Sequence, residues 1–193
     1  MSDDTLRREL DTPIAQELLR TTPLARLAYN GPDGFPRVVP VGFHWDGTRV
    51  VICTVPTAAK VAALRADPRV ALTIDTETPR ALLLRGTARI EIVDGVPDEY
   101  LWANRKTGEP AQWQAFEREV RALYERMAKI EVTPVWARAL DFETTLPKAV
   151  EDLVRRKHEH STTAGWIVSG DARRGCGRRR RTTAVRHRPT STR

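Results

Sequence analysis

Thr57 and Lys60 are the residues whose type and spacing best suit chemistry, and they lie in VPTAAKVAALRADPRV at 55–70. A strand-like run ends there, Pro56 and Thr57 follow, and a short Ala-rich helix is expected over 58–65. Asp67-Pro68 stops it, because the residue before a proline avoids the helical region. A helix entrance carries unpaired N–H groups and a partial positive charge, and both favour a phosphate. Thr57 can cap the helix or turn its hydroxyl to an anion. Lys60, about one turn in, can supply a mobile cation. The same spacing also suits a helix that only plugs the end of a domain, with Lys60 in solvent. Arg65, at the far end, reads as a structural residue that pairs with Asp67 or a partner chain.

Other chemistries find less support. His44, His158, His160 and His187 are scattered or lie near the C-terminus. His158-x-His160 is a bare chelating pair at a helix end, so no metal is expected. There is no nucleophile elbow, no Gly-x-Gly-x-x-Gly and no Walker loop. Cys53 sits in an apolar run without a partner base and reads as a packed thiol. Cys176 lies in a basic tail, so no Cys53–Cys176 disulfide is expected, which suits a reducing, cytoplasmic setting. No apolar run is long enough to span a membrane, and the acidic N-terminus MSDDTLRREL lacks the pattern of a secretory signal. Glu117, Glu119 and Glu125 read as solvated helix surface.

The elements that must position Thr57 and Lys60 are mostly strands. A short helix is expected over 12–20, with Thr12 as its cap and Pro13 in its first turn. Strands are expected at 24–29 and 35–45, separated by the turn NGPDG, and at 49–54 after DGT. Two prolines in 35–45 make that run an edge, or bulged near Pro40. These three strands form an antiparallel meander. After the short helix come a strand at 69–75 and a long one at 81–93 that bends near Gly86. A helix is expected over 98–106. Trp113, Phe116, Val120, Leu123, Tyr124 and Met127 recur at three-and-four spacing, which predicts one amphipathic helix over 110–129. A strand at 130–142 and a helix over about 147–158 complete the body. The fold class is therefore mainly β (α+β): a six-stranded antiparallel barrel with peripheral helices. A doubly wound α/β fold is disfavoured, because turns and not crossover helices join the early strands.

The formal net charge of +7 is unevenly distributed. Residues 161–193 hold nine Arg and a single acidic residue, Asp171, and show no periodicity. The first 160 residues hold 23 basic and 24 acidic side chains. We therefore divide the chain into a folded domain over 1–160 and a basic, disordered tail over 161–193. The balanced body gives no electrostatic case for nucleic acid as its main partner. The Arg-rich tail could meet nucleic acid electrostatically, but a dispensable extension is the favoured reading.

GFPRVVPVGFHWDGTRVVICTVPTAAKVAALRADPRVALTID followed by RGTARIEIV resembles the flavin-binding split-barrel superfamily. This is the pyridoxamine 5'-phosphate oxidase-like group, with its flavin and deazaflavin oxidoreductase branch. The resemblance covers about 14–142 and rests on three pieces in order: a Gly-x-Pro strand, the Lys-x-x-x-Leu-Arg-x-Asp-Pro-Arg-Val helix exit and a Gly-Thr-Ala strand. It implies a six-stranded split barrel that forms a homodimer, with FMN in a groove between the subunits. Carried over by position, Lys60 matches the phosphate-contacting Lys, and Thr57 falls at the start of the phosphate loop. Thr54 ends the strand that leads into it. Arg37, Val38, Val39, Pro40 and Val41 match the strand lining the isoalloxazine ring, with Arg37 placed to balance negative charge on the reduced ring. Ala58, Ala59, Ala62 and Ala63 stand where many relatives carry polar or basic side chains. The C-terminal substrate motif of true pyridoxamine phosphate oxidases is not recognisable. The resemblance thus implies an FMN-dependent oxidoreductase acting on an unidentified small molecule. A deazaflavin-dependent reductase and a non-catalytic flavin-binding module are the alternatives. Trp102, Trp113 and Trp136 either wall a substrate pocket or pack in the core or the dimer; packing is the favoured reading.

Overall fold

The computed structural model describes residues 1–77, 79–142, 144 and 148–164. The chain divides into two compact units, Met1–Pro147 and Lys148–Arg193. In the first unit, α1 (Asp3–Leu10) and α2 (Pro13–Thr21) precede a seven-stranded antiparallel sheet. Its strands are β1 (Leu24–Asn30), β2 (Pro36–Gly42), β3 (His44–Trp45), β4 (Val50–Thr54), β5 (Arg69–Asp75), β6 (Arg80–Asp94) and β7 (Arg126–Asp141). Helix α3 (Ala59–Ala66) joins β4 to β5, and α4 (Asp98–Asn104) and α5 (Trp113–Leu123) lie between β6 and β7. The described part of the second unit is α6 (Lys148–Ala164), so the last expected helix runs on beyond residue 158. The rest of the expected tail, 165–193, lies outside the described residues.

The sheet runs β2-β1-β5-β6-β7-β4-β3. Its two outermost strands, β2 and β3, are separated in sequence by Phe43 alone. The sheet must therefore curl until its edges lie side by side, and it does so without closing its ladder. This is a split barrel, as expected, but with seven strands. The single strand expected over 35–45 is divided because Phe43 turns fully into the core. Its first part pairs with β1, from Leu24↔Gly42 to Asn30↔Pro36, and its last two residues pair with β4. The period-two alternation along β1, β5 and β6 places Leu27, Leu72, Ile74, Leu82 and Leu84 inside.

Local signals set several boundaries. Thr12 Oγ1 accepts from the Ala15 N–H at 3.4 Å, and Pro13 opens α2. The expected bend in β6 is a register shift between Arg85 and Gly86: Arg85 opposes Trp136 while Gly86 opposes Pro134, leaving Val135 as an extra residue on β7. Gly86 is required there, since a Cβ would lie 2.5 Å from the Thr133 carbonyl oxygen.

One expectation fails for a non-local reason. The helix expected over 110–129 is a 3-10 turn at Pro110–Gln112 followed by α5, which ends at Leu123. Tyr124 is extended, and Arg126 already opposes Asp94, so the β6 ladder claims this segment as strand. Met127 keeps its apolar role, buried in a satellite core with Val96, Leu101 and Val120. Helix α1 lies outside the elements expected from the sequence, although its signals are local. Ser2 caps it, Asp3 and Asp4 occupy its first turn, and Arg7 and Arg8 its last.

Candidate functional site

The two parts of the expected site lie on different elements: β2 meets β4, whose end leads into α3, while α3 itself packs on β1 and β6. β4 ends at Thr54, and a turn closed by Ala58 N–H→Val55 O at 3.1 Å leads into α3. Val61, Ala63 and Leu64 are buried, so α3 seals the barrel. Its entrance stays open in chemical terms. Ala58, the cap residue, has no side-chain oxygen to offer, and no side chain caps the helix. Val61 N–H reaches Ala58 O at 2.8 Å, whereas the amides of Ala59 and Lys60 have no acceptor among the described residues. Thr57 is exposed and Lys60 half-buried, and among the described residues neither side chain is engaged by another group. Plugging and anion acceptance are thus compatible: the buried face does the first, and the uncapped end suits the second.

β2 borders the other side of the seam. It pairs with β1 only, so its second edge has no ladder partner. Val41 is buried, Arg37 and Val39 are half-buried, and Val38 and Pro40 are exposed, Val38 by 63%. Arg37 is engaged locally: its guanidinium lies 3.2 Å from Asp33 across the β1–β2 hairpin. That hydrogen bond is the main reason the Asp33 carboxyl is held below its usual range. Arg65 does not pair with Asp67. Asp67 instead accepts from Arg69 at 2.7 and 2.8 Å and from Asn30 at 2.8 Å, which holds its carboxyl far below the usual range.

Sequence reasoning missed the role of α4. This helix packs against β2, β3 and β4 and so lies over the seam. Trp102 stands 4.8 Å from the His44 ring, Glu99 accepts from Lys129 at 2.9 Å, and Ala103 meets Gly42. Just beyond it, Lys106 Nζ donates to Leu19 O at 2.9 Å and Thr22 O at 3.1 Å and sits 3.7 Å from the Phe43 ring centroid. Burial pushes the Lys106 amine down to about 8. Burial, followed by the Lys106 charge, also disfavours protonated His44, against the opposing pull of Glu99 and Asp46. Nothing local in the sequence links residues 44, 102 and 106; the α4 excursion brings them together.

The remaining candidates separate. Burial, with Glu99 adding and Lys129 opposing, pushes the Cys53 thiol up to about 12, which suits packing and not nucleophilic attack. Among the described residues, no His, Cys, Asp and Glu cluster could hold a metal, and no helix is long and apolar enough to cross a membrane. The three tryptophans do not form one wall. Trp102 faces His44, Trp113 lines a small cavity with Gly108 and Phe116, and Trp136 lies under Arg85.

An antiparallel barrel left open along one seam, with β2 and β3 as its unclosed edges, defines a split-barrel protein. The family model described as pyridoxamine 5'-phosphate oxidase matches residues 12–139, and the chain belongs to that family. Several solved structures are similar. One named F420 Reductase is 28% identical at a TM-score of 0.49, covering 63% of this chain and 94% of its own. A protein related to general stress protein 26, of the pyridoxinephosphate oxidase family, from Clostridium acetobutylicum is 15% identical at a TM-score of 0.47, covering 73% and 91%. A FAD-binding protein from Mesorhizobium loti is 16% identical at a TM-score of 0.41, covering 64% and 87%. No curated protein matches the chain.

Proposed function

We propose that this protein is a flavin-dependent oxidoreductase that binds FMN at the barrel seam and acts on a small molecule. The observation that carries this reading is the uncapped α3 entrance, with free amides at Ala59 and Lys60, which follows β4, the strand that meets β2. The chain's family membership supports the same ligand class. In this reading the Ala59 and Lys60 amides and the Lys60 ammonium hold the phosphate, and Thr57 adds its hydroxyl. Thr54 fixes the approach to that loop. The backbone of Arg37, Val38, Val39, Pro40 and Val41 lies along the ring edge, and the apolar side chains of β2 keep water from it. The flavin supplies the electron-transfer chemistry once bound. The protein works as a homodimer with the cofactor between subunits. Exposed Leu24, Val38 and Val135 on the outer sheet face supply the apolar surface for that contact.

Alanine at 58 and 59 leaves fewer side-chain donors on the phosphate, which favours a second reading: a flavin-binding module without turnover. Titration of the purified protein with FMN and with the deazaflavin cofactor, followed by fluorescence, tests binding and separates the two ligands. Lys60→Ala should loosen FMN by about tenfold or more, the scale of one charge-assisted hydrogen bond. A Lys60→Ala protein that binds FMN like the wild type would refute the phosphate assignment. Rapid reoxidation of the reduced holoprotein by a defined electron acceptor would exclude the carrier reading.

A further inference from the structure

Residues 102–109, the end of α4 and the turn after it, lie across the point where the two edge strands part. Ala103 meets Gly42, the last residue of β2. Lys106 Nζ stands 3.7 Å from the Phe43 ring centroid, and the Trp102 ring 4.8 Å from that of His44, the first residue of β3. Three consecutive residues of the split are thus each held by one residue of this segment. Little else ties the segment to the barrel. From Trp102 to Glu109 only Ala103 is buried, and a single methyl hides little surface. The side-chain bonds of Asn104 and Thr107 are internal, to Tyr100 O and Asn104 O. Lys106 is the strong link. Its ammonium donates to Leu19 O at 2.9 Å and Thr22 O at 3.1 Å, carbonyls at the C-terminal end of α2, where a cation suits the helix dipole. Among the described residues no carboxylate pairs with it, and Thr22 Oγ1 is buried without a hydrogen-bond partner. The closed arrangement hides a charge and a hydroxyl unfavourably, so it is poised to open.

We propose that residues 102–109 form a strap across the barrel seam, latched by the Lys106 ammonium, and that its release frees the end of β2 to admit the ligand. The ligand part rests on the flavin reading above; the latch does not. Both ends of the strap are anchored. Leu101 is buried in the satellite core with Val96, Val120 and Met127, and Glu99, one turn of helix before Trp102, is fixed by its ion pair with Lys129 at 2.9 Å. Pro110 opens the 3-10 turn at the far end. Between these anchors the segment swings as one piece once Nζ leaves its carbonyls. That motion breaks two charge-assisted hydrogen bonds and one cation–π contact and leaves every strand ladder intact. β2 ends under the strap at Gly42, so the same motion loosens the strand that lies along the ring in the flavin reading.

Hydrogen exchange on the ligand-free protein tests the latch. Lys106→Met keeps the stem and removes the charge. It should speed exchange of the Arg105 amide, bonded to Leu101 O at 3.0 Å, by about tenfold or more, through an opening that depends little on urea. Lys106→Arg retains a cation for the carbonyls and should restore part of the protection. An Arg105 amide that ignores the Lys106→Met change, or that exchanges only with the urea dependence of the β5 and β6 amides, would overturn the latch. Stopped-flow mixing with FMN tests the gate. The wild-type association rate should level off at high FMN, at the rate of strap opening, and Lys106→Met should raise that plateau by about tenfold. A plateau that Lys106→Met leaves unchanged, or a rate that rises linearly with FMN in both proteins, would overturn the gating role. A protein that takes up neither FMN nor the deazaflavin would remove the flavin reading, and the gating role with it, whereas the latch stands or falls on exchange alone.

Discussion

Phe43 offers a direct test of how the barrel is held together. It is the single residue between the two edge strands, it is 0% exposed, and its ring carries the Lys106 ammonium at 3.7 Å. Phe43→Ala deletes the ring from a site fixed on both sides by paired strands, so the cavity has little freedom to collapse. The expected loss is about 3–5 kcal/mol. About 1 kcal/mol of that belongs to the cation–π contact, and the rest to lost burial and the cavity. For a unit of this size the thermal midpoint should fall by roughly 8–16 °C. Phe43→Leu keeps most of the volume and should lose about 1–2 kcal/mol. Urea unfolding of the wild type and both variants, followed by circular dichroism, reads these differences. A cycle with Lys106→Met isolates the cation–π share, expected at about 0.5–2 kcal/mol. If Phe43→Ala loses less than about 1.5 kcal/mol, Phe43 is not the wedge that divides the strand, and the reasoning about the seam fails.

Two further outcomes follow from packing and charge. Gly86→Ala should destabilise by about 1–3 kcal/mol in the same unfolding assay, because its Cβ would lie 2.5 Å from the Thr133 carbonyl oxygen and 2.8 Å from a Val132 methyl. Lys106 should make stability rise with pH in the alkaline range. Its folded value, about 8, is below the ordinary 10.5, so between these values the unfolded chain binds the extra proton and raising the pH favours folding. Since Lys106 is only about half buried, the gain is on the order of 1 kcal/mol after solvent screening, read as the wild-type minus Lys106→Met difference between pH 8 and 10.

Elements whose causes are local can be read along the chain. Thr12 and Pro13 start α2, Asp67-Pro68 ends α3, and two-residue alternation marks the strands and their buried faces. These signals depend on neighbours a few residues apart, so a linear reading captures them. The candidate phosphate loop was legible for the same reason: Thr57, Lys60 and the helix that carries them are contiguous. Tertiary structure decided the rest. Residues 126–129 have the spacing of a helix face, but 15 residues of β6 offer a ladder that only a strand can complete. The β2–β3 break depends on Phe43 finding the core, and His44 meets Trp102 only because α4 folds back across the seam. Arg85 stands over Trp136 because one extra residue shifts the β6–β7 register, and no pattern within either strand encodes its partner. Pairing between distant segments is settled by which arrangement buries the most apolar surface while satisfying every backbone group, and that is a property of the whole fold.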